Sequence, residues 1–393
     1  MNNYSFLPQK TLTNKKDFGF ALIACVVMLW GIGLFALYFC SYSYSLKFFQ
    51  DGLYLVKRHL IASSIGFIGL LFFVICPMEL IKKMLPAFVL VTIVLCFCTF
   101  IPGIREVRNG ACRWIKLPFF TFQPSELVKF VLILFLANYF AKYQLQNEET
   151  RSVAPAVLVL IVFMSLVLLQ KDFSTSIFLL LIGLVLFFVT GSKLFWILPA
   201  AVIGIPGIIL MVLLEPYRMN RIAAYLNPDE FIRTYGYQSN ASRNAISTGG
   251  FWGQGIGSGL EKLNHIPEVQ ADYIFAGWAE AMGFVGVVFY FILLCAFIFF
   301  VIKIAMASKN RFASIGTLGC GFSIFFQSLM NCAVVCGLCP TTGIPLPFFS
   351  SGGSSILVTL WMCGFMINAA KNINNSDKDE ISDLASELGV VYE

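Results

Sequence analysis

The sequence predicts an all-α membrane protein of about ten transmembrane helices, with both termini cytoplasmic and a large outer loop between spans seven and eight. Three observations carry this. Of 393 residues, 58% are hydrophobic and 12% charged, and the mean hydropathy is +0.81. A soluble domain of that size would lack the polar surface to cover itself. The charges fall in short clusters between apolar runs of roughly 17 to 25 residues, the length that crosses about 30 Å of hydrocarbon. These runs are long and apolar all round, which excludes a barrel of short alternating strands.

In order, the expected spans are 18–40, 59–76, 84–102, 125–141, 153–169, 173–191, 194–214, 273–303, 311–337 and 352–370, the whole forming one membrane domain over 18–370. The first run has no small-residue cleavage signature and reads as a signal anchor. The seventh contains Pro199, Gly204, Pro206 and Gly207 and is expected to be kinked or broken. Lys10, Lys15, Lys16, Lys82, Lys83, Lys142, Arg151, Lys193, Lys303, Lys309, Arg311 and Lys371 all fall on one side of a ten-span chain. By the positive-inside rule that side is cytoplasmic, as are the N-terminus (1–17) and a short, mostly acidic, flexible tail (371–393). No internal repeat of the kind common in transporters is visible.

Three outer segments hold the unusual residues. The segment 103–124 is short yet basic, with Arg105, Arg108, Arg113 and Lys116, against the trend for outer loops; a phosphate-bearing partner would explain it. The segment 215–272 carries Arg218, Arg221, Arg233 and Arg243 and is far longer than a helix connection requires. The segment 338–351 contains Pro340, Pro345 and Pro347, which forbid a regular helix.

Candidate chemistry lies in and beside these loops. Glu268, Asp272 and Glu280 are carried to the lipid boundary, where a carboxylate is costly without a function. Glu268 and Asp272, four apart after Pro267, would share the face of a helix start; Asp272 reads either as a capping acid or as a general base. Glu126 and Lys129 are three apart and read as a structural ion pair between helices, or Lys129 helps to hold a diphosphate. Arg113, Trp114 and Lys116 suit a phosphorylated lipid headgroup, or a plain interfacial anchor. Gly250, Gly253, Gly255, Gly257 and Gly259 would let backbone approach a ligand, or make a flexible loop. Ser350 to Ser355 at a helix start could present N–H groups to an anion. Cys332, Cys336 and Cys339 have a metal-like spacing but no nearby His, so a metal site is not expected there. Cys112 and Cys339, both outer, could pair.

Taken together, three motifs resemble the shape, elongation, division and sporulation family (FtsW, RodA, SpoVE). These are NGACRWIKLPFFTFQPSELVKF (109–130), IPE and ADYIFA before Glu280 and Gly283, and CPTTGIPLPFFSSGGSS (339–355); YRMNRIAAYLNPDEF (217–231) adds to them. The resemblance runs in order along almost the whole chain. It implies a ten-span glycosyltransferase that polymerises lipid II into glycan strands on an undecaprenyl diphosphate carrier at the outer face of the membrane. It implies a catalytic role for Asp272 as the base on the acceptor's 4-hydroxyl, and an outer cavity containing Trp114 and Lys129. Arg113, Lys116, Arg218 and Arg221 would neutralise the diphosphate, Glu268 would contact substrate, and Glu126 and Glu280 would support the site. A divalent cation (Mg or Mn), a class B penicillin-binding protein with transpeptidase activity, and divisome or elongasome proteins are the implied cofactor and partners; nucleic acid is not.

The sequence departs from the family pattern at Ala271, Ala281, Cys112 and Ser351, and Gln170 to Ser174 replace the usual Pro-Asp-x-Gly, which puts the role of that loop in doubt although Asp172 keeps its place. FWGQGIG (251–257) favours the septal branch, while TGIPLPF (342–348) is also common in the elongation branch. A lipid II flippase and a non-catalytic scaffold are the competing readings. The near-absence of charge at span centres favours surface chemistry over translocation.

Overall fold

The structure is a computed structural model that describes residues 16–108, 111–116, 121–143, 152–191, 216–227, 230–231, 234, 236–256 and 269–387. The expected span 194–214, Glu268, and Gly257 and Gly259 lie outside the described residues.

Helices α1 (Lys16–Phe49), α2 (Tyr54–Ile75), α3 (Met78–Cys98), α4 (Pro124–Tyr143), α5 (Ala154–Leu169) and α6 (Phe173–Val189) follow the apolar runs in order. After them come α7 (Pro216–Leu226), α8 (Tyr237–Gly249), α9 (Ile274–Ala307), α10 (Arg311–Val335) and α11 (Gly353–Glu387). Among the described residues, seven helices are long and apolar enough to cross a membrane; α5 and α6 are apolar but shorter, at 16 and 17 residues. The protein is a multi-pass membrane protein of all-α class.

The helix ends are written in the sequence. Pro124 opens α4 and Pro155 sits in the first turn of α5, where a missing N–H costs nothing. Asn310 caps α10, its side chain accepting from the N–H groups of Phe312 and Ala313. The bundle closes around α4, which is buried on nearly every face. Helix α11 packs along α2, where Gly364 is so close to Leu70 that an added Cβ would lie 2.5 Å from the Leu70 carbonyl oxygen. One turn on, Asn368 Nδ2 donates to the carbonyls of Phe73 and Cys76, both at 2.6 Å, satisfying the end of α2.

Several segments differ from the sequence reading. The basic segment 103–124 holds a three-stranded antiparallel sheet, β1 (Arg105–Arg108), β2 (Ala111–Lys116) and β3 (Thr121–Phe122). Helices α7 and α8 occupy part of the long loop, and α11 runs on to Glu387, into the expected tail segment, of which 388–393 lie outside the described residues. Asp272 is not in the first turn of a helix: α9 begins at Ile274 behind the N-cap Tyr273, so the capping reading of Asp272 falls. All twelve cysteines are free thiols, so Cys112 and Cys339 are not paired, and no three metal-ligating side chains gather among the described residues.

The glycine run has a role different from ligand approach. Helix α9 is broken at Gly283 (φ 63, ψ −164), and residues 249–255 clasp the break. Gln254 N and Gly255 N donate to the carbonyls of Glu280 and Ala281 at 2.9 and 3.1 Å, while Phe284 N and Val285 N donate to those of Gly250 and Phe251 at 2.9 and 3.3 Å. The loop thereby supplies the hydrogen bonds that the break removes from α9. Glu280, buried beside the break, accepts from Thr248 Oγ1 at 3.3 Å.

Candidate functional site

One end of the bundle opens into a cavity of about 840 Å³. Its walls come from the end of α1, the start of α2, the sheet, the start of α6, α7, the segment 270–272 and the loop between α10 and α11. The floor is built first. Three successive carbonyls, those of Gln270, Ala271 and Asp272, accept from Ser351 N at 3.0 Å, Ser350 Oγ at 2.6 Å and Asn331 Nδ2 at 2.8 Å. Ser350 Oγ also accepts from Leu346 N at 2.8 Å. The turn that carries Asp272 is therefore tied to the three-proline loop and to α10. Gly343 (φ +76) faces the carboxylate: a Cβ there would sit 3.4 Å from Asp272 Oδ2.

The cations share the cavity with this acid. Arg58, Arg113, Lys171, Arg218 and Arg221 line the cavity with Trp114, and Asp272 is the one acidic side chain among the described lining residues. Each arginine is held by neighbours. Arg221 Nη1 donates to the Thr341 carbonyl at 3.1 Å, and the Arg218 guanidinium lies 5.2 Å from the Phe173 ring centroid. Arg113 donates to the Lys171 carbonyl, pairs with Asp172 Oδ1 at 3.5 Å, and rests 5.9 Å from the Trp114 ring centroid.

Asp172 organises this corner. It is buried, and its Oδ2 accepts from Gln123 Nε2 at 2.9 Å and Ser125 Oγ at 3.0 Å, while it also caps α6. Ser354 Oγ accepts from Gln123 N at 2.8 Å and donates to the Thr121 carbonyl at 3.1 Å, fastening the sheet to the start of α11. The loop whose role the sequence left in doubt is thus the anchor of a cavity arginine.

The other expected residues divide. Trp114, Arg113, Arg218, Arg221 and Asp272 all meet in the cavity. Lys129 does not line it. Its Nζ pairs with Glu126 Oε2 at 2.8 Å within α4 and donates to Gln327 Oε1 at 2.7 Å, both charges being about 95% buried or more. The expected ion pair is present but lies along one helix, not between two; Lys129 is held by Glu126 and Gln327 and does not line the cavity in which a diphosphate would sit. Lys116 is exposed and does not line the cavity; its N–H donates to the Ile104 carbonyl at 2.9 Å within the sheet edge. Glu268 lies outside the described residues. Sequence reasoning missed Arg58 and Lys171. Their only signal was position: each borders a short turn on the side of the chain that already carried the outer cations.

The donor set also bears on metal binding. With one acidic side chain among the described lining residues, the cavity does not offer the several oxygen ligands of a resident divalent site.

Comparison with known proteins agrees with this architecture. A sequence profile described as a cell cycle protein, covering FtsW, RodA and SpoVE, matches residues 20–375. The chain is 35% identical over 359 residues to a probable peptidoglycan glycosyltransferase FtsW of Geobacter sp. (strain M18), covering 90% of this chain and 97% of that one. It is 31% identical to stage V sporulation protein E of Bacillus subtilis, covering 91% and 98%. Among solved structures, the fold matches a chain of a peptidoglycan synthase complex that coordinates polymerization and crosslinking, with TM-score 0.71 and 24% identity over 90% of this chain and 97% of that one. It also matches the rod shape determining protein RodA of Thermus thermophilus, with TM-score 0.66 and 21% identity over 89% and 96%. The chain belongs to the FtsW/RodA/SpoVE family.

Proposed function

We propose that this chain is a peptidoglycan glycosyltransferase that polymerises lipid II at the outer face of the cytoplasmic membrane, in septal synthesis during division. The observation that carries the reading is the cavity itself, which a single described carboxylate, Asp272, lines together with five cations. A lone acid in a basic cleft suits a reaction that takes a proton at one place and builds negative charge at another.

In this reading Asp272 accepts the proton of the acceptor's 4-hydroxyl as that oxygen attacks the donor's anomeric carbon. The bond from that carbon to the diphosphate breaks, and the lipid diphosphate leaves. Arg113, Arg218 and Arg221, joined by Arg58 and Lys171, neutralise the charge on the leaving group. Trp114 supplies a flat apolar face beside the cations, suited to a sugar ring or a lipid boundary. Glu280 supports the site from below by holding the clasp around Gly283. A divalent cation would enter with the diphosphate and not at a site of the protein's own, since Mg²⁺ is commonly held by one carboxylate together with substrate phosphates. The division role follows the FtsW relatives, and a transpeptidase partner of the class B penicillin-binding type is expected by likeness to the synthase complex.

The test is purified protein, alone and with its cognate transpeptidase, incubated with labelled lipid II and then with lipid II in sealed vesicles. Glycan polymer without transbilayer movement supports the polymerase. Movement without polymer would transfer the assignment to a flippase, and neither, in folded protein, to a scaffold. Chelation is expected to reduce polymer yield and to leave the unfolding temperature unchanged.

A further inference from the structure

The hydrogen bonds beneath Asp272 carry a further assignment, which rests on the glycosyltransferase reading. We propose that Asn331 of α10 is a positioning residue: its side-chain amide sets the place of the Asp272 carboxylate relative to the loop opposite. Asn331 is 2% exposed and does not line the cavity, so it has no access to substrate. Its Nδ2 group has two protons, and both are used. One goes to the Asp272 carbonyl at 2.8 Å, the other to the Ile344 carbonyl at 2.9 Å.

Those two carbonyls belong to opposite sides of the cavity floor. Asp272 supplies the acid, and Ile344 follows Gly343, the residue that faces Asp272 Oδ2. A single amide therefore fixes the gap between carboxylate and loop. Gln327, one helical turn earlier, repeats the device: its Nε2 donates to the Pro345 carbonyl at 2.9 Å, and its Oε1 accepts from Lys129. Two amides at i and i+4 on α10 thus grip successive carbonyls of the proline-bound loop, which cannot form a regular ladder of its own. The buried Glu126–Lys129 pair orients the lower amide. Through this chain of contacts Lys129 bears on the site without touching it.

A positioning role differs from a binding role in what it moves. Without Asn331 the carboxylate would still lie in the cavity but off its line of attack, and a displacement of about 1 Å can cost about 100-fold in rate. The experiment compares wild type with Asn331→Leu, which keeps bulk and removes both donors, and Asn331→Ser, a smaller change should the first fail to fold. Per folded molecule, kcat for lipid II polymerisation is expected to fall about 10- to 100-fold, with KM within about threefold of wild type. The second readout needs no turnover: the rate at which a water-soluble carbodiimide and an amine modify Asp272, followed by mass spectrometry. That rate is expected to change about fivefold or more when the turn is released. Unchanged kcat per folded molecule, a loss confined to KM, or unchanged Asp272 modification in both variants would overturn the assignment. If wild type makes no polymer, the glycosyltransferase reading fails, and the modification rate alone decides whether Asn331 positions the acid.

Discussion

Removing the Asp172 carboxylate tests how the cavity is held together. In Asp172→Ala, Gln123 Nε2 and Ser125 Oγ lose an acceptor at 2.9 and 3.0 Å, Arg113 loses its partner at 3.5 Å, and α6 loses its N-cap. The cap alone is worth about 0.5–2 kcal/mol, and each hydrogen bond to a charged group about 1.5–3 kcal/mol. These terms share one carboxylate and do not add. Breaking a buried pair by deleting one member costs about 3–5 kcal/mol. Here the Asp172 side chain is 3% exposed but that of Arg113 is 26%, so water can reach the abandoned guanidinium, and the lower end of that range, about 3 kcal/mol, is expected. Asp172→Asn should recover about 1 kcal/mol, because Asn caps a helix about as well as Asp. The assay is the unfolding temperature of each purified protein in one detergent, with polymerisation measured well below it. The expected order of stability is wild type, then Asn, then Ala, and both variants should lose activity because Arg113 is no longer aimed at the cavity. If Asp172→Ala unfolds with wild type and polymerises normally, the anchor does not exist as described.

Three further outcomes follow from the same geometry. Gly283→Ala places a Cβ 2.2 Å from Gly253 N at a positive φ, so backbone must move; the variant should unfold at lower temperature or expose the 249–255 loop to protease, while Gly255→Ala, at positive φ but with open space, should cost less. Asn368→Leu leaves the Phe73 and Cys76 carbonyls unsatisfied inside the bundle, for a loss of about 1–3 kcal/mol in stability without a specific effect on KM. Arg218→Ala and Arg221→Ala should weaken lipid II turnover more at low than at high ionic strength, because salt screens the attraction to phosphate that they supply. Lys116→Ala, outside the cavity, should show neither effect.

Much of this was legible in the sequence because membrane insertion writes itself in long apolar runs. The run 125–141 became α4 (Pro124–Tyr143) almost unchanged, and the outer cations Arg113, Arg218 and Arg221 were recognisable as a group by their place against the positive-inside trend. Direction was not legible. Glu126 and Lys129 are visibly three apart, but a helix buried on nearly every face gives no sign in its sequence of which side meets the cavity, and packing against Gln327 turns Lys129 inward. The glycine run announced close backbone approach without naming the partner, which proved to be a break at Gly283 some thirty residues on. Asp172 looked doubtful because its neighbours were unusual, yet what fixes its role is Gln123 and Ser125, about fifty residues away in sequence. The sheet in the basic loop was hidden because its strands are of two to six residues, too short to show an alternation.

The central claim is that Asp272 is the base and that the rest of the floor exists to hold it. The most direct measurement is glycan-strand synthesis from labelled lipid II by wild type and Asp272→Asn at matched folded concentration. The substitution keeps the backbone carbonyl that Asn331 grips, so the fold and lipid II binding should survive while polymer disappears. Equal polymer from both proteins would contradict the account.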